Sequence, residues 1–177
     1  MNLQSTDFEL FALSVEFAQD SETIDTRWKD LQREVHPDNF AAQGATAQRL
    51  SMQWSVRINE AYQRLKDPLK RAAYLCELHG TPVNAENNTA MPAAFLIQQM
   101  EWREALDEAV TAAQLEELWS LMIPVRERAL QLCAEYLDEK HDYMRAVAQV
   151  RALMFIDRFS RDIEARLDQM DSMDRGQ

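Results

Sequence analysis

The residues best suited to specific chemistry or contact in this chain stand together at His36-Pro37-Asp38. His36 offers a ring nitrogen that donates or accepts a proton. Asp38 brings an acceptor-only carboxylate suited to the two-pronged guanidinium of a partner's arginine. Pro37 fixes its own backbone and so reduces the entropy lost when such a turn docks. Lys29 and Arg33 stand seven and three residues before His36 and can steer an acidic partner surface toward it. This is the chemistry of recognition. A metal-dependent hydrolase built on His36 and Asp38 is the catalytic alternative, and it finds little company. His36, His79 and His141 share no ligand spacing with Cys76 or Cys133. No glycine-rich phosphate loop, nucleophile elbow or HExxH stands in the sequence. No metal, no cofactor and no catalytic residue is therefore expected.

The elements that must position these residues are helical. Only three glycines and five prolines occur among 177 residues, and good helix formers dominate. An all-α fold is expected. A first helix is placed over about Asp7 to Leu13. For the second, Asp20 or Ser21 caps a stripe of Ile24, Trp28, Leu31 and Val35, with Lys29 and Arg33 pointing away from it. Pro37 disfavours helical geometry at His36, so that helix stops there. The third begins near Ala45, after Gly44, with a stripe of Leu50, Trp54, Ile58, Ala61 and Leu65. Asp67-Pro68 opens a fourth, which runs to His79 and stops at Gly80. Residues 81–92 lose the pattern: Pro82, Asn84, Asn87, Asn88, Thr89 and Pro92 read as a linker. Three long helices follow. The middle one is opened by a Thr111/Gln114 capping box and carries Pro124, which is expected to kink or interrupt it. Asp142 caps the last.

Composition removes several function classes. A net charge of −11 argues against duplex nucleic acid and anionic membrane as partners. No apolar run approaches the length that spans a membrane. The amino end shows no basic stretch followed by a long apolar run, so no secretory signal is expected. Two distant cysteines without a CxxC spacing point to buried free thiols in a reducing cytoplasm.

The fifth helix, about Ala93 to Ala109, carries a second recognition surface. Phe95, Trp102, Leu106 and Ala109 form its core-facing stripe. At a hundred degrees per residue, Ile97, Met100, Glu101, Glu104 and Glu108 fall on the opposite side, with Leu96 at its edge. Apolar residues beside three glutamates on a water-facing side are the signature of a partner site.

The run Asp30-Leu31-Gln32-Arg33 leads into His36-Pro37-Asp38-Asn39-Phe40. Downstream stand Ile58-Asn59-Glu60-Ala61-Tyr62, Leu65, Asp67-Pro68, Arg71-Ala72 and Tyr74-Leu75. Together they resemble a J domain, the module that stimulates the ATPase of DnaK-type chaperones. Phe95-Leu96, Met100-Glu101, Arg103-Glu104, Leu106-Asp107-Glu108, Val150-Arg151 and Phe155-Ile156-Asp157 resemble the HscB-type co-chaperone of iron–sulfur cluster assembly. The two resemblances occur in that family's order over nearly the whole chain.

The resemblance implies an L-shaped all-α protein: a J domain over residues 1–80 built on a helical hairpin with flanking helices, a linker over 81–92, and a three-helix bundle over 93–177. It implies that Lys29, Arg33, His36, Pro37 and Asp38 dock on a dedicated DnaK-type chaperone. Leu96, Ile97, Met100, Glu101, Glu104, Glu108 and, from the last helix, Phe155 would bind the iron–sulfur scaffold protein. The chain would then be no enzyme itself, but would stimulate its partner's ATPase and promote cluster transfer. A monomer is expected, since the exposed apolar patch is already assigned. The chain departs from the family at Asn39, where many members carry Lys, and at Val35, where an aromatic is common. Asn39 removes one cation beside the docking turn.

Overall fold

The structure is a computed structural model that describes residues 2, 4–84 and 91–174, without the side chains of 41–43, 173 and 174. Seven α-helices span the described residues: α1 Asp7–Phe11, α2 Ser21–Glu34, α3 Ala45–Lys66, α4 Pro68–Leu78, α5 Ala93–Glu108, α6 Ala112–Ala134 and α7 Tyr143–Asp174. A 3-10 segment, Pro37–Gln43, joins α2 to α3, and a π-helical turn, Glu135–Glu139, follows α6.

The boundaries follow from local chemistry. Thr6 and Glu9 form a capping box at α1. Asp20 accepts from the backbone N–H groups of Glu22 and Thr23 to start α2, and Asp67 does the same for Leu69 and Lys70 at α4. Helix α4 ends in a Schellman motif: Gly80, at φ +74°, donates to Glu77 and Thr81 donates to Cys76. The Thr111/Gln114 box opens α6, and Asp142 accepts from the Arg145 N–H at α7.

Two expectations change, and one of the two alternatives at Pro124 falls away. Helix α1 stops at Phe11 and not at Leu13, because Ala12 turns into the left-handed region and its N–H closes on the Glu9 and Phe8 carbonyls. Pro124 lies inside α6 without splitting it; the proline is exposed, so the hydrogen bond it removes is lost on a face open to water. Leu50 is exposed, and Ser51 takes its place on the buried stripe of α3. At a hundred degrees per residue Leu50 and Ser51 flank the line of Trp54, Ile58, Ala61 and Leu65 about equally, some 50° to either side, and Ser51 turns inward because its hydroxyl reaches the Val35 carbonyl. Asn87, Asn88 and Thr89 of the expected linker lie outside the described residues.

Two apolar clusters hold the helices. The first joins α1–α4 (Phe8, Phe11, Ile24, Val35, Ile58, Leu65, Cys76) to Cys133, Leu137, Val147, Val150 and Leu153. The second gathers Trp102, Leu115, Leu118, Met122, Ile156, Phe159 and Ile163 from α5–α7. Helix α7 serves both, changing allegiance between Leu153 and Ile156. Apolar packing therefore passes from the first four helices directly into α6 and α7. Polar ties reinforce that contact. Both oxygens of Asp138 in the π-helical turn accept from the Phe17 and Ala18 N–H groups, at 2.6 and 2.9 Å. Buried Arg71 donates to the Phe17 and Leu65 carbonyls. His79 at the end of α4 stacks on Tyr143 of α7 at 4.1 Å.

Candidate functional sites

The frame of the α2–α3 hairpin is rigid around an exposed turn. Trp28 stacks on Tyr62 at 4.9 Å and donates its indole N–H to Asn59 at 2.9 Å. Lys66 donates to both oxygens of Asp25 at 2.7 Å, and the Tyr62 hydroxyl donates to the same carboxylate at 3.0 Å. The Lys66 hydrogen bond holds the Asp25 carboxyl below its usual pKa, and the Asp25 bond raises Lys66 in return. At the far side of α3, Asp7 is fully buried against Arg57 at 2.6 Å and Arg64 at 3.1 Å, which ties α1 to the hairpin.

Where α2 ends, the backbone of the turn is pinned while its functional side chains stay free. Val35 is buried, and the buried Ser51 hydroxyl donates to the Val35 carbonyl. The Asn39 amide donates at 2.8 Å to the Arg33 carbonyl, which also accepts from the His36 N–H at 3.4 Å, so three groups converge on the helix end. His36 Nδ1 accepts from the Asp38 N–H at 3.3 Å, which leaves Nε2 as the ring's donor. The side chains of His36 and Asp38 remain 58% and 90% exposed. Pro37 is exposed as well, and so are Lys29 and Arg33, the latter paired with Asp30 at 3.0 Å. All five expected docking residues thus lie on one exposed helix-and-turn segment. Ser51 and Asn39, which fix that segment, were not picked out as its support. The helical period leaves Leu50 and Ser51 equally close to the α3 stripe, and nothing in the sequence marks the Asn39 bond.

On α5 the two sides separate as expected. Trp102 is 5% exposed and Ala109 is buried, while Ile97 and Met100 are 58% and 71% exposed. Glu101, Glu104 and Glu108 are exposed and Leu96 is half-buried. Phe155 is placed differently from a freely projecting side chain. It is half-buried, its ring 5.9 Å from Phe95, 6.2 Å from Trp102 and 5.6 Å from Phe159, with the Arg103 guanidinium 5.6 Å above it. It packs beneath α5 and is only partly open to solvent. The arrangement presents a Leu96–Met100 strip with the glutamates, and Ile97 among them, along one edge, and this ridge carries no nucleophile–base pair. Among the described residues no group of three potential metal ligands converges, and no helix is long and apolar enough to cross a membrane. Cys76 and Cys133 are both buried in the first cluster, where loss of hydration pushes their thiols up to about 11 and about 12.

Comparison with known proteins matches these two halves separately. Residues 11–74 fit the family model described as DnaJ domain, and residues 91–164 fit the one described as HSCB C-terminal oligomerisation domain. The chain is 47% identical over 174 residues to the co-chaperone protein HscB homolog of Burkholderia thailandensis, covering 97% of this chain and 99% of that relative. It is 42% identical over 175 residues to the homolog of Burkholderia multivorans, with the same coverage. Among solved structures it superposes on the chaperone HscB from Vibrio cholerae with a TM-score of 0.81 at 32% identity, covering 94% of this chain and 99% of that one. The human co-chaperone protein HscB superposes with a TM-score of 0.86 at 27% identity, over 94% and 84% of the two chains.

Proposed function

Because the chain belongs to the HscB family of J-domain co-chaperones, we propose that it binds the iron–sulfur scaffold protein and delivers it to a dedicated DnaK-type chaperone. It stimulates that chaperone's ATPase, and the resulting cycle promotes cluster transfer to acceptor proteins. A co-chaperone role in iron–sulfur cluster assembly follows from the family; the individual contacts are our reading. Lys29, Arg33, His36, Pro37 and Asp38 make the chaperone contact. Leu96, Ile97, Met100, Glu101, Glu104 and Glu108, with the exposed part of Phe155, make the scaffold contact.

The observation that carries this reading is the division of labour on α5. One side is buried on Phe155 and Phe159 through Trp102, and the other leaves Met100 and Ile97 in water among glutamates. Folding alone does not require those two side chains to be apolar. A partner surface does. The turn supports the second contact in the same way, since its backbone is fixed by Ser51 and Asn39 while His36 and Asp38 face solvent. Preorganisation of this kind lowers the entropy that docking removes.

The functional division places chaperone docking in residues 1–80 and scaffold binding in 93–177, joined through 81–92. The chain acts as a monomer in this reading, which a mass measurement in solution tests directly against the oligomerisation named in the matched family model. The bacterial relatives and the free buried thiols support a cytoplasmic location. The contact residues are tested by measuring steady-state ATPase of the purified chaperone with scaffold present. Wild type stimulates turnover; His36→Gln, an exposed change that leaves the fold intact, abolishes stimulation. Full stimulation by the variant refutes the docking assignment.

A further inference from the structure

Beside the α5 strip lies a polar cavity of about 230 Å³ whose lining includes Arg103 and Gln99 from α5 and Arg151, Met154, Phe155 and Arg158 from α7. Three arginines line it in a chain whose net charge is −11. Among the described residues, no carboxylate lines the cavity and none of the three arginines is in an ion pair. Arg151 Nε is buried without a hydrogen-bond partner. Arg126 and Arg145 in the same half have carboxylates at 3.5 and 3.4 Å; what sets the cavity apart among the described residues is three unpaired arginines around one space. Three cations around one cavity repel each other, and a buried unpaired N–H is unfavourable. An oxyanion removes both penalties.

We propose that this cavity binds a carboxylate carried by the protein that docks on α5. The position argues for that source. On the helical projection Gln99 and Arg103 lie between the buried stripe and the strip of Leu96 and Met100. Glu101, Glu104 and Glu108 lie beyond the strip on its other edge. The whole face is therefore bipolar: cationic cavity, apolar strip, anionic edge. A partner surface with an acidic side chain on one side of an apolar centre and basic ones on the other fits it in a single orientation. A free anion is disfavoured by the negative field of the chain as a whole. One brought in by the apolar contact is not. The guanidinium fork suits a carboxylate in two-point geometry. This inference rests on the reading of α5 as the scaffold-binding face.

The test is calorimetric titration of purified scaffold protein into wild type, Arg103→Gln, Arg158→Gln, Arg158→Lys, Arg151→Gln and Met100→Ala. Arg103 and Arg158 are exposed, so their variants remain informative even if Arg151→Gln fails to fold. Arg103→Gln and Arg158→Gln should each weaken scaffold binding about tenfold or more, the loss of a charge-assisted hydrogen bond. Arg158→Lys should keep most of the affinity. If Met100→Ala weakens binding and the glutamine variants bind as wild type does, the carboxylate pocket is wrong and the α5 reading stands. If no variant matters, both fall. In a parallel arm, inorganic phosphate is titrated into the free chain with the arginine Nε–H resonances as readout. Saturable shifts with phosphate, together with scaffold binding unchanged in the arginine variants, would assign the site to a free anion and overturn the proposal.

Discussion

Replacing Met100 and Trp102, two residues apart on α5, by alanine separates binding from folding. Burying a methionine side chain completely is worth about 1.5–3 kcal/mol. Met100 is 71% exposed in the free chain, so covering that portion on a partner contributes about 1–2 kcal/mol. The scaffold Kd should therefore rise about five- to thirtyfold in Met100→Ala. Thermal stability of the free variant should stay within about 0.5 kcal/mol of wild type, because the side chain packs on little. Trp102→Ala does the reverse at the level of the fold. It empties a site lined by Phe95, Phe155 and Phe159, and such truncations destabilise by about 3–5 kcal/mol. Calorimetric titration with scaffold and denaturant melts of the free proteins read the two quantities independently. A Met100→Ala variant with unchanged Kd, or one whose stability falls as far as that of Trp102→Ala, refutes the assignment of the two sides.

Other outcomes follow from the same contacts. Ser51→Ala leaves the buried Val35 carbonyl without its donor, which should lower stability by about 1–3 kcal/mol and reduce chaperone ATPase stimulation although no docking residue is touched. Undiminished stimulation at unchanged stability would show that the turn does not depend on this tie. The two cysteines give a pH dependence. Burial lifts Cys76 to about 11 and Cys133 to about 12, against 9.0 for a free thiol. The unfolded chain then loses these protons first, so stability is full below pH 9 and declines between pH 9 and about 12. Denaturant midpoints from pH 8 to 11 should fall less steeply in Cys133→Ala, and an aromatic disulfide reagent at pH 8 should label neither thiol until the protein unfolds. Fast labelling of the native chain would contradict the buried placement.

Much of this architecture is legible in the sequence because it is local. Asp20, Asp67, Thr111 and Asp142 announce helix starts by their own side-chain acceptors. Pro37 and Gly80 mark stops through backbone geometry. The α5 ridge is equally readable, since one helix projection places Met100 opposite Trp102 whatever the helix packs on. What escapes is whatever needs a neighbour distant in sequence. Ala12 stops α1 in a conformation that alanine does not advertise. Asp138 anchors Phe17 and Ala18 across more than a hundred residues, and buried Asp7 meets Arg57 and Arg64. Arg103, Arg151 and Arg158 look like ordinary helix-surface charges until α5 and α7 come together. Leu50 and Ser51 flank the α3 stripe equally, and what turns Ser51 inward is the Val35 carbonyl from another element, which accepts its hydroxyl. Pro124 marks the limit of a breaker rule: on a water-facing side of a long helix, one missing hydrogen bond does not end it.

The account's central claim is that both recognition surfaces must act on one molecule. It is tested by chaperone ATPase in the presence of scaffold, comparing wild type with an equimolar mixture of His36→Gln and Met100→Ala. Each variant keeps one surface, so the mixture contains both but never on the same chain. Stimulation by the mixture should be no greater than that of Met100→Ala alone at the same concentration. Recovery of wild-type stimulation by the mixture would contradict the adaptor account.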